Sequence, residues 1–225
     1  MMGGKSAQNE VKPLSYLALG DSYTIGESVK AYESFPFQLQ RKLNSEGLNV
    51  SSPRIIARTG WTTRDLLNAI ECEKPHHSYS FVTLLIGVNN QYRGYSLDAY
   101  RKEFNELLHM AIQLADNKKE CVFVISIPDW GVTDYAKQNG FNPSKISQEI
   151  DMFNTINKEE ALEAGVSYTY ITANSRLAKT DASLIANDGL HPSAKMYTNW
   201  ADNLAKKIFL IDLSTEIWQK MIQMR

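Results

Sequence analysis

The stretch Leu14-Ser15-Tyr16-Leu17-Ala18-Leu19-Gly20-Asp21-Ser22 decides the fold class of this 225-residue chain. Its first six residues are mostly apolar, which is typical of a strand buried on both faces of a parallel sheet. Gly20 permits a tight exit from that strand, and Asp21 or Ser22 is suited to begin a helix. A buried strand that turns directly into a helix indicates an α/β fold.

Four further apolar runs predict four more strands buried on both faces, at residues 54–58, 81–86, 121–127 and 168–171. Helical periodicity separates or follows them, at residues 35–43, 66–70, 97–114, 146–161 and 197–208, and the stretch 211–222 predicts a docked C-terminal helix. Alternating strands and helices predict a three-layer α/β fold with right-handed crossovers. No internal repeat or composition shift marks a boundary. We therefore expect a flexible segment over residues 1–13 and a single domain over residues 14–225.

Composition and charge limit the classes of partner. The chain has 24 basic and 25 acidic residues, interleaved, and a net charge of −1. This balance provides no long-range attraction for nucleic acid or an anionic membrane. No stretch approaches the roughly 20 apolar residues of a membrane span. Residues 1–13 lack the apolar core of a signal peptide, so a cytoplasmic location is the default, with a secreted or periplasmic one if a leader was removed.

Two segments far apart in the chain carry the residue types of one nucleophilic site. Ser22 follows the first strand, and Asp188-Gly189-Leu190-His191 stands directly before Pro192, a residue that favours the first turn of a helix. Asp188 is spaced to turn back and bond one ring nitrogen of His191, which leaves the other nitrogen to take the serine proton. The alternatives are a helix cap at Asp21 or Ser22 and a simple turn at Asp188-Gly189.

Two further residues are candidates for stabilising an oxyanion. Gly60 follows the second predicted strand and offers a backbone N–H, and Asn89 follows the third and offers a side-chain amide. Each has a structural alternative, as a turn residue for Gly60 and as a loop or cap residue for Asn89.

Taken together, these residues resemble the four blocks of the SGNH hydrolases, also called GDSL esterases and lipases. Gly20-Asp21-Ser22 is similar to the first block, with Tyr23 where the family often has leucine. Gly60 fits the second block and Gly87-Val88-Asn89-Asn90 the third, while Asp188-Gly189-Leu190-His191-Pro192 is a close match to the last. The blocks span residues 20–192 in family order.

The resemblance implies a role for each matched residue. Ser22 would be the nucleophile, His191 the general base and then acid, and Asp188 its orienting partner. The N–H groups of Ser22 and Gly60 and the side chain of Asn89 would form the oxyanion hole. The family fold is a flavodoxin-like parallel sheet of five strands in the order 2-1-3-4-5, and the family uses neither a metal nor an organic cofactor.

Two positions depart from known patterns. Thr24 stands where the Gly-x-Ser-x-Gly elbow of α/β-hydrolases has its second glycine, which disfavours that fold. Asn90 replaces the acid of the family's usual Gly-x-Asn-Asp block, so a carboxylate that would brace this loop is missing.

The residues beside the proposed nucleophile and strand ends are candidates for lining a substrate groove. They are Asp21, Tyr23, Asn90 and Trp130, with Tyr92 or Tyr95 beside them. Packing under a loop is the alternative for the aromatic residues. His76-His77 has no accompanying ligand pattern and is interpreted as a solvated loop, not a metal site.

These inferences predict a serine esterase that cleaves short-chain acyl or acetyl esters of a small or carbohydrate substrate through an acyl-enzyme. The expected partner is a small-molecule ester, with no nucleic acid and no integral membrane association. Alternatives on the same machinery are an acyltransferase, a lysophospholipase or a thioesterase. A flavodoxin-like binding module is the alternative without catalysis.

Overall fold

A computed structural model describes residues 12–76 and 78–210. Residues 1–11 of the predicted N-terminal segment, His77 of the histidine pair and the helix predicted at 211–222 lie outside the described residues.

The strands of the described part form one parallel sheet. They are β1 (Tyr16–Asp21), β2 (Arg54–Arg58), β3 (Phe81–Leu85), β4 (Val122–Ile125) and β5 (Ser167–Thr169). Their order across the sheet is β2-β1-β3-β4-β5, which confirms the predicted order. The prediction extended β5 to Ile171, but the strand ends at Thr169 because Ile171 already caps the next helix.

Helices connect the strands and follow the last one. They are α1 (Ser22–Ile25), α2 (Phe35–Ser45), α3 (Thr63–Glu73), α4 (Val88–Tyr92), α5 (Leu97–Leu114), α6 (Asp134–Gln138), α7 (Pro143–Glu163), α8 (Thr172–Arg176) and α9 (Ala194–Leu210). Each predicted periodic stretch within the described residues falls inside one of these helices. The predicted range of α5 is confirmed at both ends.

Burial along the strands shows how the layers are arranged. Every residue of β1, β3 and β4 is buried, and because neighbouring side chains on a strand point to opposite faces, both faces of the sheet centre are covered. Helices α2 and α9 pack together, and α5 packs against α3 and α7. The prediction of full burial was wrong for β2 and β5, which are half-exposed. Both are edge strands, and an edge strand has a neighbouring strand on one side only.

The sheet order places a crevice where the candidate site was predicted. Strand β1 pairs with β2 on one side and β3 on the other, so the chain reverses direction across the sheet at this point. Ligands of open α/β sheets bind at such a switch point, outside the carboxyl ends of the strands. Gly20 lies at this end of β1, where a Cβ would come within 2.4 Å of the carbonyl oxygen of Leu85. Glycine is required there because the neighbouring strand leaves no room for a side chain.

Candidate active site

Ser22 is the first residue of α1 and follows β1 without an intervening loop. The side chain of Asp21 caps this short helix by accepting a hydrogen bond of 3.0 Å from the backbone N–H of Tyr23. Gly26 ends it in the left-handed conformation, with φ of +78°. Ser22 lines a cavity at the carboxyl ends of β1 and β3. The sequence analysis considered Asp21 or Ser22 as the cap of this helix. Asp21 is the residue that caps it, and Ser22 faces the cavity.

Asp188 and His191 form a hydrogen-bonded pair in the loop before α9. Nδ1 of His191 lies 2.6 Å from Oδ2 of Asp188. The other oxygen of Asp188 accepts the backbone N–H groups of Leu190 and His191, each at 2.9 Å, which folds the loop back on the carboxylate. An ionised carboxylate can only accept, so Nδ1 carries the proton and Nε2 is left as an acceptor. His191 lines the same cavity as Ser22.

The environment of Asp188 keeps its carboxylate ionised. Partial burial alone would raise the pKa of Asp188, but hydrogen bonds from Ser28, His191 and two backbone N–H groups outweigh it and lower this pKa to about 2. The hydroxyl of Ser28 donates to Oδ2 at 2.6 Å across 160 residues of sequence. Ser28 lies just after α1, so this bond ties the loop that follows the serine helix to the histidine loop.

Gly60 lies in the loop after β2 and Asn89 in helix α4, and these two segments are hydrogen-bonded to each other. Nδ2 of Asn89 donates to the carbonyl oxygen of Trp61 at 2.9 Å, and Nη2 of Arg93 donates to that of Gly60 at 2.7 Å. Gly60 has φ of +80°, a conformation that strongly favours glycine. Both residues line the cavity beside Ser22. A side-chain amide carries two donors, and the second N–H of Asn89 makes no hydrogen bond within the described residues.

Asn90, in helix α4, bonds the start of helix α3 and so supports the two segments that carry Gly60 and Asn89. Its Oδ1 accepts the backbone N–H of Thr63 at 3.0 Å, and its Nδ2 donates to the hydroxyl of Thr63 at 2.6 Å. That hydroxyl in turn donates to Glu103. A carboxylate could only accept, so the amide suits this pairing better than the acid usual at this position. The sequence analysis expected this loop to lack a supporting carboxylate. In the structure, the amide of Asn90 makes the supporting hydrogen bonds.

The cavity has a volume of about 190 Å³, and its walls come from five segments: α1, the loop after β2, α4, residues 130–135 and the loop before α9. The candidate lining residues Tyr23 and Trp130 lie in its walls, and so does Tyr92. The predictions for Asp21 and Asn90 were wrong: both side chains are fully buried and lie outside the walls. Their side chains turn inward because each bonds a backbone N–H there.

Asp21 is a buried acid directly behind the candidate nucleophile. Burial raises the pKa of Asp21 to about 7, although the hydrogen bond from Tyr23 N–H opposes the shift. Among the described residues, its Oδ2 has no hydrogen-bond partner. An unpartnered buried oxygen favours the protonated form, since the neutral group costs less to bury.

We expect Asp21→Asn to change the pH dependence of stability. The folded state keeps a proton on Asp21 up to a pKa of about 7, whereas the ordinary value is 3.8. The wild-type free energy of unfolding therefore loses a contribution as pH rises from about 4 to about 7, and the amide variant lacks this loss. Urea unfolding of both proteins at several pH values should show the variant gaining stability relative to wild type across that window.

Asp134→Asn, at an exposed carboxylate of α6, is the control. A difference between Asp21→Asn and wild type that does not vary with pH would refute the assignment.

Ser28, Arg93 and Gln91 carry no sequence signal that would have placed them near the site. Each contacts the site through a bond to a residue distant in the chain: Ser28 to Asp188, Arg93 to Gly60 and Gln91 to Trp130. Ser28 has φ of +66°, unusual for a residue other than glycine.

Within residues 12–76 and 78–210, no group of three or more His, Cys, Asp or Glu side chains is placed to hold a metal ion. No helix in the same part of the chain has the length and apolar character needed to cross a membrane.

Comparison with solved structures shows the same fold in several proteins of low sequence identity. TesA is 15% identical with a TM-score of 0.68, covering 86% of this chain and 97% of its own. A lipase/acylhydrolase from Enterococcus faecalis is 20% identical with a TM-score of 0.63, covering 87% and 95%. An acetyl xylan esterase, AlAXEase, is 17% identical with a TM-score of 0.64, covering 87% and 100%. No curated protein matches the chain.

The family is shown by a match to the sequence itself. The model of the GDSL-like lipase/acylhydrolase family matches residues 18–198, about four-fifths of the chain. The match runs from β1 into α9 and so includes Ser22, Gly60, Asn89, Asp188 and His191. The chain therefore belongs to the GDSL-like lipase/acylhydrolase family, the SGNH hydrolases, and is a carboxylic ester hydrolase.

Proposed function

We propose that this chain is a serine esterase that cleaves a short-chain acyl or acetyl ester of a small or carbohydrate alcohol through an acyl-enzyme. The observation that carries the proposal is the pairing of His191 Nδ1 with the ionised Asp188, at 2.6 Å, beside a cavity that Ser22 also lines. That pairing leaves Nε2 of His191 able to take a proton from a hydroxyl.

The reaction proceeds in two halves. Ser22 Oγ attacks the ester carbonyl while His191 Nε2 accepts the serine proton, giving a tetrahedral intermediate. The intermediate collapses, the bond to the alcohol oxygen breaks, and His191 returns its proton to the departing alcohol. A water molecule, deprotonated by His191, then attacks the acyl-enzyme and releases the acid and Ser22.

The oxyanion of each intermediate is stabilised by donors that are held in place beforehand. The backbone N–H groups of Ser22 and Gly60 and the second N–H of Asn89 have this role. Bonds from Asn89 to Trp61 and from Arg93 to Gly60 hold helix α4 against the loop after β2, so the donors need little reorganisation during the reaction. Each such donor contributes about 3 kcal/mol to the transition state.

The size of the cavity supports a short acyl group. Its volume of about 190 Å³ is close to the 150 Å³ or so that holds one benzene ring, and is too small to enclose a long acyl chain. A protein with the same fold is an acetyl xylan esterase, which agrees with a small acyl group.

A fluorophosphonate probe tests this proposal directly. The probe phosphonylates an activated serine, and we expect one label for each chain, on the peptide that contains Ser22. Labelling should abolish turnover of p-nitrophenyl acetate in proportion to the label incorporated. A label on another serine, or full turnover after complete labelling, would overturn the assignment of Ser22.

A further inference from the structure

One wall of the cavity is built from aromatic rings, each of which contacts the next. Tyr92, Trp130 and Tyr135 form this aromatic wall, and Phe141, which does not line the cavity, packs against all three. The ring centroids lie 5.0 Å apart for Trp130 and Phe141 and 5.5 Å apart for Tyr92 and Trp130, both with edge-to-face geometry. Trp130 is 4% exposed, whereas Tyr92 is 49% exposed, so the wall runs from the cavity floor to its mouth.

The indole N–H of Trp130 is already paired within the protein. Nε1 of Trp130 donates to Oε1 of Gln91 at 2.8 Å, and Nε2 of Gln91 donates to Glu149 at 2.7 Å. The hydroxyl of Tyr135 donates a hydrogen bond to Tyr92, which raises the pKa of Tyr135. The wall therefore presents ring surfaces to a ligand, with the indole N–H of Trp130 engaged elsewhere.

The loop that carries Trp130 is held rigid from behind. Asp129 accepts from the backbone N–H of Gly131 at 2.9 Å, from the hydroxyl of Ser147 at 2.6 Å and from Nε of Arg176 at 2.8 Å. Its carboxylate is fully buried. A wall fixed in this way binds a complementary ring without an entropic cost of ordering the wall itself.

From these observations we propose that the aromatic wall is the subsite for a flat apolar ring of the ester, which packs against Trp130 and Tyr92. The inference rests on the proposed esterase function and narrows its substrate to aryl-bearing esters, ahead of long-chain aliphatic ones. The volume of about 190 Å³ holds one such ring together with the ester group. Ring-on-ring packing contributes beyond the buried area, which a flexible chain does not match.

The test compares ring-bearing esters with chain esters of equal carbon number. Benzyl acetate against heptyl acetate places the ring in the alcohol, and methyl phenylacetate against methyl octanoate places it in the acyl group. Hydrolysis is followed by acid release at constant pH. We expect one ring-bearing ester to have a higher kcat/KM than its chain counterpart, which also identifies the side of the ester that contacts the wall.

Variants locate the preference on the wall. Trp130→Leu and Tyr92→Leu keep an apolar side chain and remove the ring, and each should reduce the ring-to-chain ratio of kcat/KM roughly 2- to 10-fold. Trp130→Phe is the second variant at this buried position, in case Trp130→Leu does not fold. It keeps an aromatic ring and should retain most of the wild-type ring-to-chain ratio of kcat/KM. Tyr95→Leu is the matched control, because Tyr95 is exposed and lies outside the cavity walls. Equal ratios in wild type and both leucine variants, or a higher kcat/KM for heptyl acetate and methyl octanoate in wild type, would overturn the proposal.

A binding measurement separates this proposal from the esterase function. Phenylacetamide resists hydrolysis, and its affinity is measured by titration calorimetry. Affinity that falls in Trp130→Leu and Tyr92→Leu but not in Tyr95→Leu supports the ring subsite, even if all four esters are inert and the esterase proposal fails. Phenylacetamide affinity unchanged in both wall variants refutes the subsite, even if every ester is hydrolysed.

Discussion

Replacing Ser22 by alanine should reduce kcat for p-nitrophenyl acetate by roughly 10⁶-fold, leaving the small residual rate that oxyanion donors alone provide. The loss is this large because the variant has no nucleophile to form an acyl-enzyme, while the pair of His191 and Asp188 remains without a proton to accept. Steady-state and single-turnover kinetics measure the effect, with the fluorophosphonate probe as a second readout.

The variant should remain folded, since Ser22 begins a helix that Asp21 caps. Its urea unfolding midpoint is therefore compared with that of wild type. Ser45→Ala, at an exposed serine whose hydroxyl bonds only the end of its own helix, is the matched control and should keep full activity. Retained hydrolysis in Ser22→Ala, with a native unfolding midpoint, would exclude Ser22 as the nucleophile.

Asp188→Asn should reduce kcat by roughly 10⁴-fold while leaving the loop conformation intact. An asparagine oxygen still accepts the backbone N–H groups of Leu190 and His191. Its NH₂ group, however, faces Nδ1 of His191, so the imidazole must place its proton on Nε2, where it cannot accept from Ser22. The wrong tautomer, and the loss of a negative charge beside the imidazolium, together account for the size of the effect.

Ser28→Ala separates this effect from a general disturbance of the loop. Ser28 donates to the same oxygen of Asp188 that faces His191, but the variant keeps the carboxylate and the histidine bond. We expect a change in kcat of a few fold at most, because one hydrogen bond contributes about 1 kcal/mol. Equal losses in Asp188→Asn and Ser28→Ala would show that loop geometry, and not the charge and tautomer of the pair, is what Asp188 controls.

The positions of the strands and helices were predictable because burial determines the pattern of apolar residues along each element. The central strands are continuous apolar runs, and α5 carries apolar residues at intervals of three and four that end where the helix ends. The burial of the edge strands was predicted less well than their position, because β2 and β5 are only partly buried. Arg54 and Arg58 in β2 and Ser167 in β5 make these strands more polar than β3 and β4, but the number of neighbours a strand has is a property of the sheet.

Asp21 and Asn90 show where the sequence was a poor guide to the site. Both stand beside residues predicted for the chemistry, yet both side chains turn away from the cavity to bond backbone N–H groups. Adjacent residues point in different directions on a strand, as at Asp21, and on a helix, as at Asn90, and which of them faces the ligand depends on the partners available on each side. The position of Trp130 was predicted, but the rings and bonds that make it part of a wall come from three other segments of the chain.

The sequence alone determined the α/β fold, the five strands and the residue types of the candidate site, because strand burial, helix periodicity and the four short blocks are all encoded within a few consecutive residues. The tertiary structure alone decided which of those side chains face the cavity, how Ser28 and Arg93 connect the segments around it, and how Tyr92, Trp130 and Tyr135 form one wall of it. These features depend on contacts between segments up to 160 residues apart, whose geometry is set only when the whole sheet and its helices pack together.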